Sequence, residues 1–374
     1  MPVKLFLTAD NHLGMNFSNH PANVRETLVK ERFDALNTIV SLANAESADF
    51  LVVAGDLFDK VKVPDKVLKE SIDILKKFQG ESVLIIPGNH DFYDIEEDSL
   101  WDKFMKYSKD AQKITVLHRF EPVEFNVGNQ KVVFYPACCK SKHSDQNMIG
   151  WVKDAEKDPM AINLGIAHGN VTGLGLDAAD RYFNMSTEEL KQAGLDLWLL
   201  GHIHVPYPNI REVTSNPVFF MPATHTPDGW KRTDAGTCWS ISMDEQKNVK
   251  AQLLETSQVR FTELKQNLSS AEDFAEVEKA LQPFKREKTL LSLELTGRMS
   301  QNELEALNKS LHAFRESFLF CEINNRIQLL IDKAYINKHY PENSFSHQLL
   351  SKLSENENDS LALQVANELI NSQV

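Results

Sequence analysis

Two histidines one residue apart close an apolar run in the stretch LWLLGHIHVP, residues 197–206. In extended backbone, residues i and i+2 project to one face, so His202 and His204 would point into the same small space. Side-by-side imidazoles gain little there unless something accepts both lone pairs, and a metal ion is the usual acceptor. The competing reading is a solvated strand end carrying two incidental histidines. The pattern of an apolar run ending in a metal-type side chain recurs along the chain. TADNH supplies Asp10 and His12, GDLFD supplies Asp56 and Asp59, GNHD supplies Asn89, His90 and Asp91, and IAHG supplies His168.

Each of these residues has a bland role open to it. Asp10 could cap a helix, His12 could sit in a turn, Asn89 could take a left-handed turn and His168 could be a satisfied core histidine. Yet five of the twelve histidines fall at strand ends, and one shared site accounts for all of them together. Carboxylate, amide oxygen and imidazole without thiolate suit manganese, iron or zinc. Seven donors (Asp10, His12, Asp56, Asn89, His168, His202 and His204) are too many for one ion and fit two that share Asp56. Two ions roughly 3.5–4 Å apart clamp an in-line displacement at phosphorus, and a hydroxide bridging them, with its pKa lowered to around 7, would be the nucleophile. His90 follows Asn89 directly and is the candidate to stabilise phosphorane charge or protonate the leaving oxygen, with Asp59 or Asp91 orienting it.

The elements that must position these residues read as an α/β layer. KLFLTAD (4–10), DFLVVAGDLFD (49–59) and SVLIIPGNHD (82–91) alternate with helical stretches near 23–47 and 64–79, the signature of parallel strands. In such a sheet, ligands bind outside the carboxyl ends of the strands. INLGIAHG (162–169) ends in the same way. STEELKQAG (186–194) predicts a short helix, opened by a capping box of Ser186 and Glu189 and stopped at Gly194. Strands at 131–136, 217–223, 236–244 and 249–256 follow without long helices, which predicts antiparallel pairing in a second sheet. The expectation is two packed sheets with helices outside.

Near residue 258 the texture changes. A helical pattern from Ser270, the strand KTLLSLELT (288–296), a capping box of Ser300 and Glu303, and the strand-like run FLFCEINNRIQLLID (318–332) predict a small α+β module. An acidic linker and one amphipathic helix, ENENDSLALQVANELI, end it. The expected domains are 1–258, carrying the chemistry, and 259–374, without metal-type clusters. PACCKSKHSDQ (136–146) fits none of these patterns.

Bulk composition narrows the function classes. At 374 residues and 42% hydrophobic content the chain can build about two domains. A net charge of −13 argues against a generally basic nucleic-acid binder, although a metal site and a local basic patch can sit on an acidic body. Lys60, Lys62, Lys66 and Lys69, and more weakly Arg181, Lys231 and Arg232, are candidates to track a phosphate backbone, with a solvated helix face as the plain alternative. Cys138, Cys139, Cys238 and Cys321 show neither a zinc-ribbon nor a disulfide spacing. With no signal-like start and no long apolar run, a cytoplasmic protein without a membrane segment is expected.

These blocks, in this order, resemble the calcineurin-like metallophosphoesterase superfamily from residue 4 to about 256. Within it, DNHLG, AGDLFD, PGNHD and LGHIH look most like the SbcD/YhaO-type DNA repair exonucleases, and ELTGR (294–298) is a short match to the capping domain of the YhaO-like branch. The resemblance implies a four-layered α/β/β/α metallophosphoesterase sandwich with a smaller C-terminal α+β capping domain that selects DNA. It implies two divalent ions, Mn2+ first and Fe2+ or Zn2+ otherwise, one on Asp10, His12, Asp56 and His204, the other on Asp56, Asn89, His168 and His202. His90 matches the family's catalytic histidine. Asp59 stands where archaeal and eukaryotic relatives have a histidine, which is the bacterial pattern. Implied partners are DNA, an SbcC-like SMC-family ATPase and, as an option, a second copy in a homodimer. Two other classes stay open: a phosphodiesterase or phosphatase on a small molecule or nucleotide, and a catalytically dead scaffold. The intact donor set argues against the scaffold.

Overall fold

A computed structural model describes residues 2–174, 182–230, 235–355 and 360–372. The chain forms two compact units, Met1–Val259 and Arg260–Val374. The weaker basic candidates Arg181, Lys231 and Arg232 lie outside the described residues.

The first unit holds two sheets. The larger begins with parallel strands β1 (Val3–Thr8), β2 (Phe50–Ala54), β3 (Ser82–Ile86) and β4 (Ile114–Val116). The second contains β5 (Val123–Val127), β6 (Gln130–Ala137), β7 (Ile162–His168), β8 (Leu197–Gly201) and β10 (Phe219–Phe220). The larger sheet is completed by β9 (Glu212–Val213), β11 (Thr237–Met243) and β12 (Val249–Glu255), in the order β4-β3-β2-β1-β11-β12-β9. Alternation splits the side chains into layers. Leu5, Leu7, Phe50, Val52 and Leu84 meet Phe134, Leu164, Ile166 and Leu199 of the second sheet in one core. Phe6, Leu51, Val53 and Ile85, on the opposite face, pack under α1 (Ala22–Ala45), α2 (Asp65–Leu75) and α3 (Leu100–Ser108). Tyr135, Trp198 and Leu200 take the outer face of the second sheet, where α4 (Thr187–Gln192) contributes Leu190. The layering is therefore α/β/β/α. Strands buried on both faces explain why these runs are almost continuously apolar.

One expectation needs correction. The strands near 236–244 and 249–256 do not build the second sheet; β11 pairs antiparallel to β1, with Leu5 opposite Ile241, and extends the first. The second sheet is antiparallel only at β5 and β6. Its β6-β7-β8-β10 run is parallel. The physical reason is the crossover: α4 between β7 and β8 carries the chain back to the start of the sheet, which a hairpin cannot do.

The second unit is built on parallel strands β13 (Arg260–Leu268), β14 (Thr289–Met299) and β15 (Phe320–Asn325), with β16 (Gln328–Leu329) on the far end of β14. Helices α5 (Phe274–Leu281) and α6 (Gln301–Glu316) make the crossovers and bury Val277, Leu281, Leu307 and Leu311 against Leu291, Leu293 and Leu295. The Ser300–Glu303 capping box forms as read. Helices α7 (Lys333–His339), α8 (Phe345–Leu353) and α9 (Ser360–Ser372) follow, and only the last was anticipated. ELTGR lies at the end of β14.

Candidate metal centre

Parallel strands of one sheet end on the same side, so Asp10, Asp56 and Asn89 leave β1, β2 and β3 side by side. His168 ends β7, and His202 and His204 follow β8, whose carboxyl ends face the same mouth. The turn after β1 keeps pairing with the turn after β2: the Asp10 N–H donates to the Gly55 carbonyl at 3.1 Å and the His12 N–H to the Asp56 carbonyl at 2.9 Å. Asp10, His12, Asp56 and His202 all have positive φ (52°, 44°, 53° and 107°). Each such backbone costs on the order of 1–3 kcal/mol and persists only where the surroundings enforce it. Part of that enforcement is Arg32 of α1, buried, whose guanidinium donates to the Asn11 carbonyl at 2.7 Å.

Two glycines let the turns close. A Cβ on Gly55, which has φ +91°, would lie 2.2 Å from His168 Nδ1, and one on Gly88 would lie 2.2 Å from Asp56 Oδ1. Backbone must approach side chain at both points, so neither position accepts another residue without displacing a site residue.

The seven predicted donors converge. Asp56 Oδ2 lies 3.3 Å from His168 Nε2 and 3.9 Å from His12 Nε2, between the two groups. Asp10 Oδ1 lies 3.6 Å from His204 Nε2, and its Oδ2 accepts the His202 N–H at 3.0 Å. Asn89 Oδ1 lies 3.0 Å from His168 Nε2 and 3.1 Å from His202 Nδ1. Asp10, His12 and His204 lie together, Asn89, His168 and His202 lie together, and Asp56 approaches both sets, with Asp10 also within reach of Asp56 and His168.

The polar atoms of the centre fit a cation. Asp10 Oδ1 and both ring nitrogens of His12 are buried with no hydrogen-bond partner, a state that costs roughly 1–3 kcal/mol per group when nothing compensates. His168 Nδ1 lies 2.8 Å from the Ala54 carbonyl, which can only accept, so that nitrogen carries the proton. Its Nε2 then faces the oxygens of Asn89 and Asp56. Without an ion, a second proton relieves the clash: burial opposes it, but the Asp56 carboxylate raises His168 to about 9. Burial pushes His12 down to about 3, and burial with the neighbouring His168 pushes His202 down to about 4. Although burial opposes it, His168 and His12 hold the Asp56 carboxyl far below the carboxylate range. Divalent cations would take up Asp10 Oδ1 and one ring nitrogen of His12, and would replace the second proton at His168 Nε2.

His90 sits at the edge of the cluster, its ring 4.8 Å from that of His12. Its orientation differs from expectation. His90 Nδ1 donates to the backbone carbonyl of Asp59 at 3.1 Å, while the Asp59 carboxylate lies 3.8 Å from His12 Nδ1. Asp91 is turned away and buried, accepting the N–H groups of Gly88 at 2.7 Å and Phe58 at 3.0 Å. It ties the GD and GNH turns together, and burial beside Asp56 raises it to about 8.

Sequence reasoning passed over four residues here. Asp228 Oδ2 lies 2.9 Å from His204 Nδ1, Arg32 braces the first turn, and the Tyr182 ring lies 5.4 Å from that of His202. Cys139 explains the unread PACC segment: its N–H donates to Pro87, its carbonyl accepts from Tyr93, and its Sγ donates to the His168 carbonyl at 3.5 Å. It brackets the GNHD turn rather than offering a thiolate, because burial holds its pKa well above the usual value. No spacing rule links these residues to the motifs. The lysines are exposed. Lys69 lies over the Tyr107 ring at 5.0 Å, and the groove holding Lys66 and Lys69 also carries Asp34, Glu70 and Asp73, so it is not a purely basic track. Among the described residues, no helix is long and apolar enough to cross a membrane.

An uncharacterized metallophosphoesterase of Bacillus subtilis (strain 168), YhaO, is 26% identical over 204 residues, covering 52% of this chain and 47% of that protein. The chain thus aligns with about half the length of this curated relative. Among solved structures, TT1561 of Thermus thermophilus superimposes with a TM-score of 0.40 at 10% identity, covering 67% of this chain and 98% of that one. A dimetal phosphatase from Danio rerio gives 0.38 at 12% identity, covering 69% and 100%. The family model described as calcineurin-like phosphoesterase matches residues 3–206, and with more than half of its length so matched the chain belongs to that family.

Proposed function

We propose that the chain is a two-metal phosphodiester hydrolase acting on DNA, a repair exonuclease or endonuclease, with manganese as the first ion to test and iron or zinc next. The observation that carries the metal reading is the convergence of seven oxygen and nitrogen donors, among them the buried Asp10 Oδ1 and His12 ring nitrogens with no hydrogen-bond partner. Asp10, His12, Asp56 and His204 would hold one ion and Asp56, Asn89, His168 and His202 the other. When bound, such a pair supplies an activated water and a clamp on the oxygens around phosphorus. The chain's own residues do the rest. Ala54 fixes the tautomer of His168, Asp56 joins the two clusters, and Asp59 holds His90 through its carbonyl. That contact leaves His90 Nε2 to pass a proton to the leaving oxygen.

DNA is favoured over a small substrate by the folded second unit, Arg260–Val374, for which a small phosphodiester gives no use. We assign that unit the role of capping and selecting DNA, with an SbcC-like ATPase as a further partner to test. The net charge of −13 and the mixed-charge groove beside Lys66 and Lys69 favour a second reading, a phosphodiesterase or phosphatase on a nucleotide or other small molecule. Incubation of the purified protein with Mn2+ separates the two. DNA of varied end structure should be degraded, with a nitrophenyl phosphodiester cut more slowly. Turnover of the small ester with every DNA left intact would select the second reading.

A further inference from the structure

His204 has an exposed flank: 38% of its side chain is accessible, against 2% for His12 and 0% for His168. His168 and His90 each have a backbone carbonyl to fix the ring. His204 has a side chain instead, Asp228, whose Oδ2 lies 2.9 Å from Nδ1. A carboxylate can only accept, so Nδ1 carries a proton toward Asp228, and Nε2, 3.6 Å from Asp10 Oδ1, is the nitrogen left to an ion once its own proton is displaced.

Asp228 reaches this position on a braced loop. Thr224 bridges Ala9 at the end of β1. Thr237 donates its N–H to the Thr224 carbonyl at 2.9 Å and its hydroxyl to the Pro222 carbonyl. Thr256 donates to the His225 carbonyl, and His225 Nε2 donates to the Arg32 carbonyl at 2.8 Å. The Arg32 side chain in turn donates to the carbonyl of Asn11, between Asp10 and His12, so one residue ties the carboxylate loop, through its carbonyl, to the turn that presents two donors. All of these contacts are between protein groups.

From this geometry we propose that Asp228 is a positioning residue for the metal centre: it fixes the tautomer and orientation of His204 and so sets the affinity for the ion shared by Asp10, His12 and His204. The proposal rests on the two-metal reading above. Partners of this kind change metal affinity by about 10–100-fold when removed.

Calorimetric titration of the chelated full-length protein with Mn2+ tests it on four proteins besides wild type: Asp228→Ala, Asp228→Asn, His204→Ala and the double variant Asp228→Ala/His204→Ala. Asp228→Ala should weaken one of two binding events by about 10–100-fold and leave the other unchanged. Asp228→Asn, which keeps an acceptor oxygen without the charge, should lose less. His204→Ala should weaken the same event, and adding Asp228→Ala to it should cost nothing more, because the carboxylate would act only through the imidazole. Thermal unfolding in chelator checks folding, and the asparagine variant keeps the test open should the alanine variant not fold. Two wild-type-like events in both Asp228 variants, or an equal Asp228 effect with and without the His204 ring, would overturn the role of Asp228 alone. Fewer than two events in wild type would overturn the two-metal reading and this role with it.

Discussion

Removing the His90 imidazole should separate chemistry from metal binding. The ring is half-buried and makes one hydrogen bond, from Nδ1 to the Asp59 carbonyl at 3.1 Å. Its loss in His90→Ala should therefore cost only about 0.5–1.5 kcal/mol of stability. The backbone is untouched, so the His90 N–H still donates to Asp56 Oδ1 at 2.8 Å and keeps that carboxylate aimed between His12 and His168. Asn89 keeps its place as well. A general acid is worth about 10²–10⁴ in rate, which is about 2.7–5.4 kcal/mol of barrier, several times the expected stability loss. The assay pairs steady-state hydrolysis of a dinucleoside phosphodiester, whose alkoxide leaving oxygen needs a proton, with metal counting by mass spectrometry on the same sample. Two retained ions with kcat reduced by that factor is the expected result. Wild-type turnover would remove His90 from the mechanism. Loss of an ion would make it a ligand instead, a role its proximity to His12 and Asp56 makes chemically open.

Three further outcomes follow from the same geometry. Gly55→Ala should lose ion binding and more than about 1–3 kcal/mol of stability, since it adds backbone strain at φ +91° to a Cβ placed 2.2 Å from His168 Nδ1; wild-type metal content in this variant would contradict the close approach. In chelator, stability should be a dome in pH. His12, His202 and His225, lowered to about 3, 4 and 3, make the unfolded state bind more protons below about 6.5, so stability falls with acid; His168 and His204, raised to about 9 and 10, reverse the sign and lower it as pH rises through that range. Urea midpoints against pH read this directly, metal loading should flatten the alkaline arm, and stability still rising above pH 8 in chelator would refute it. Residues 1–259 expressed alone should fold and hydrolyse a small phosphodiester, because every proposed donor lies in that unit, whereas cleavage of long duplex DNA should drop; unchanged DNA cleavage would move the role of the second unit to partner docking.

The site was more legible than the topology. Each donor closes an apolar strand, and the ends of parallel neighbours lie together, so Asp10, Asp56 and Asn89 could be grouped before any coordinates. The strand at 236–244 carried no such constraint. Its apolar residues suit an antiparallel partner in either sheet, and only the free edge of β1 decides between them. Short helices were also missed: α7 and α8 bury little more than Ile336 and Leu350, too few positions for a periodic signal. Asp228, Arg32 and Cys139 escaped because each acts on the centre through a neighbour, and such contacts impose no spacing on the chain. The orientation of His90 by a carbonyl was equally invisible, since any residue at position 59 supplies that oxygen.

Metal counting on wild type and Asp56→Asn, purified side by side in manganese, tests the two-metal centre most directly. Asp56 Oδ2 lies between His12 Nε2 and His168 Nε2, at 3.9 Å and 3.3 Å, and is placed to serve both clusters. Two ions per wild-type chain are expected, with both weakened in Asp56→Asn while Asp10→Asn weakens mainly one. Two tightly held ions in Asp56→Asn would contradict the shared centre.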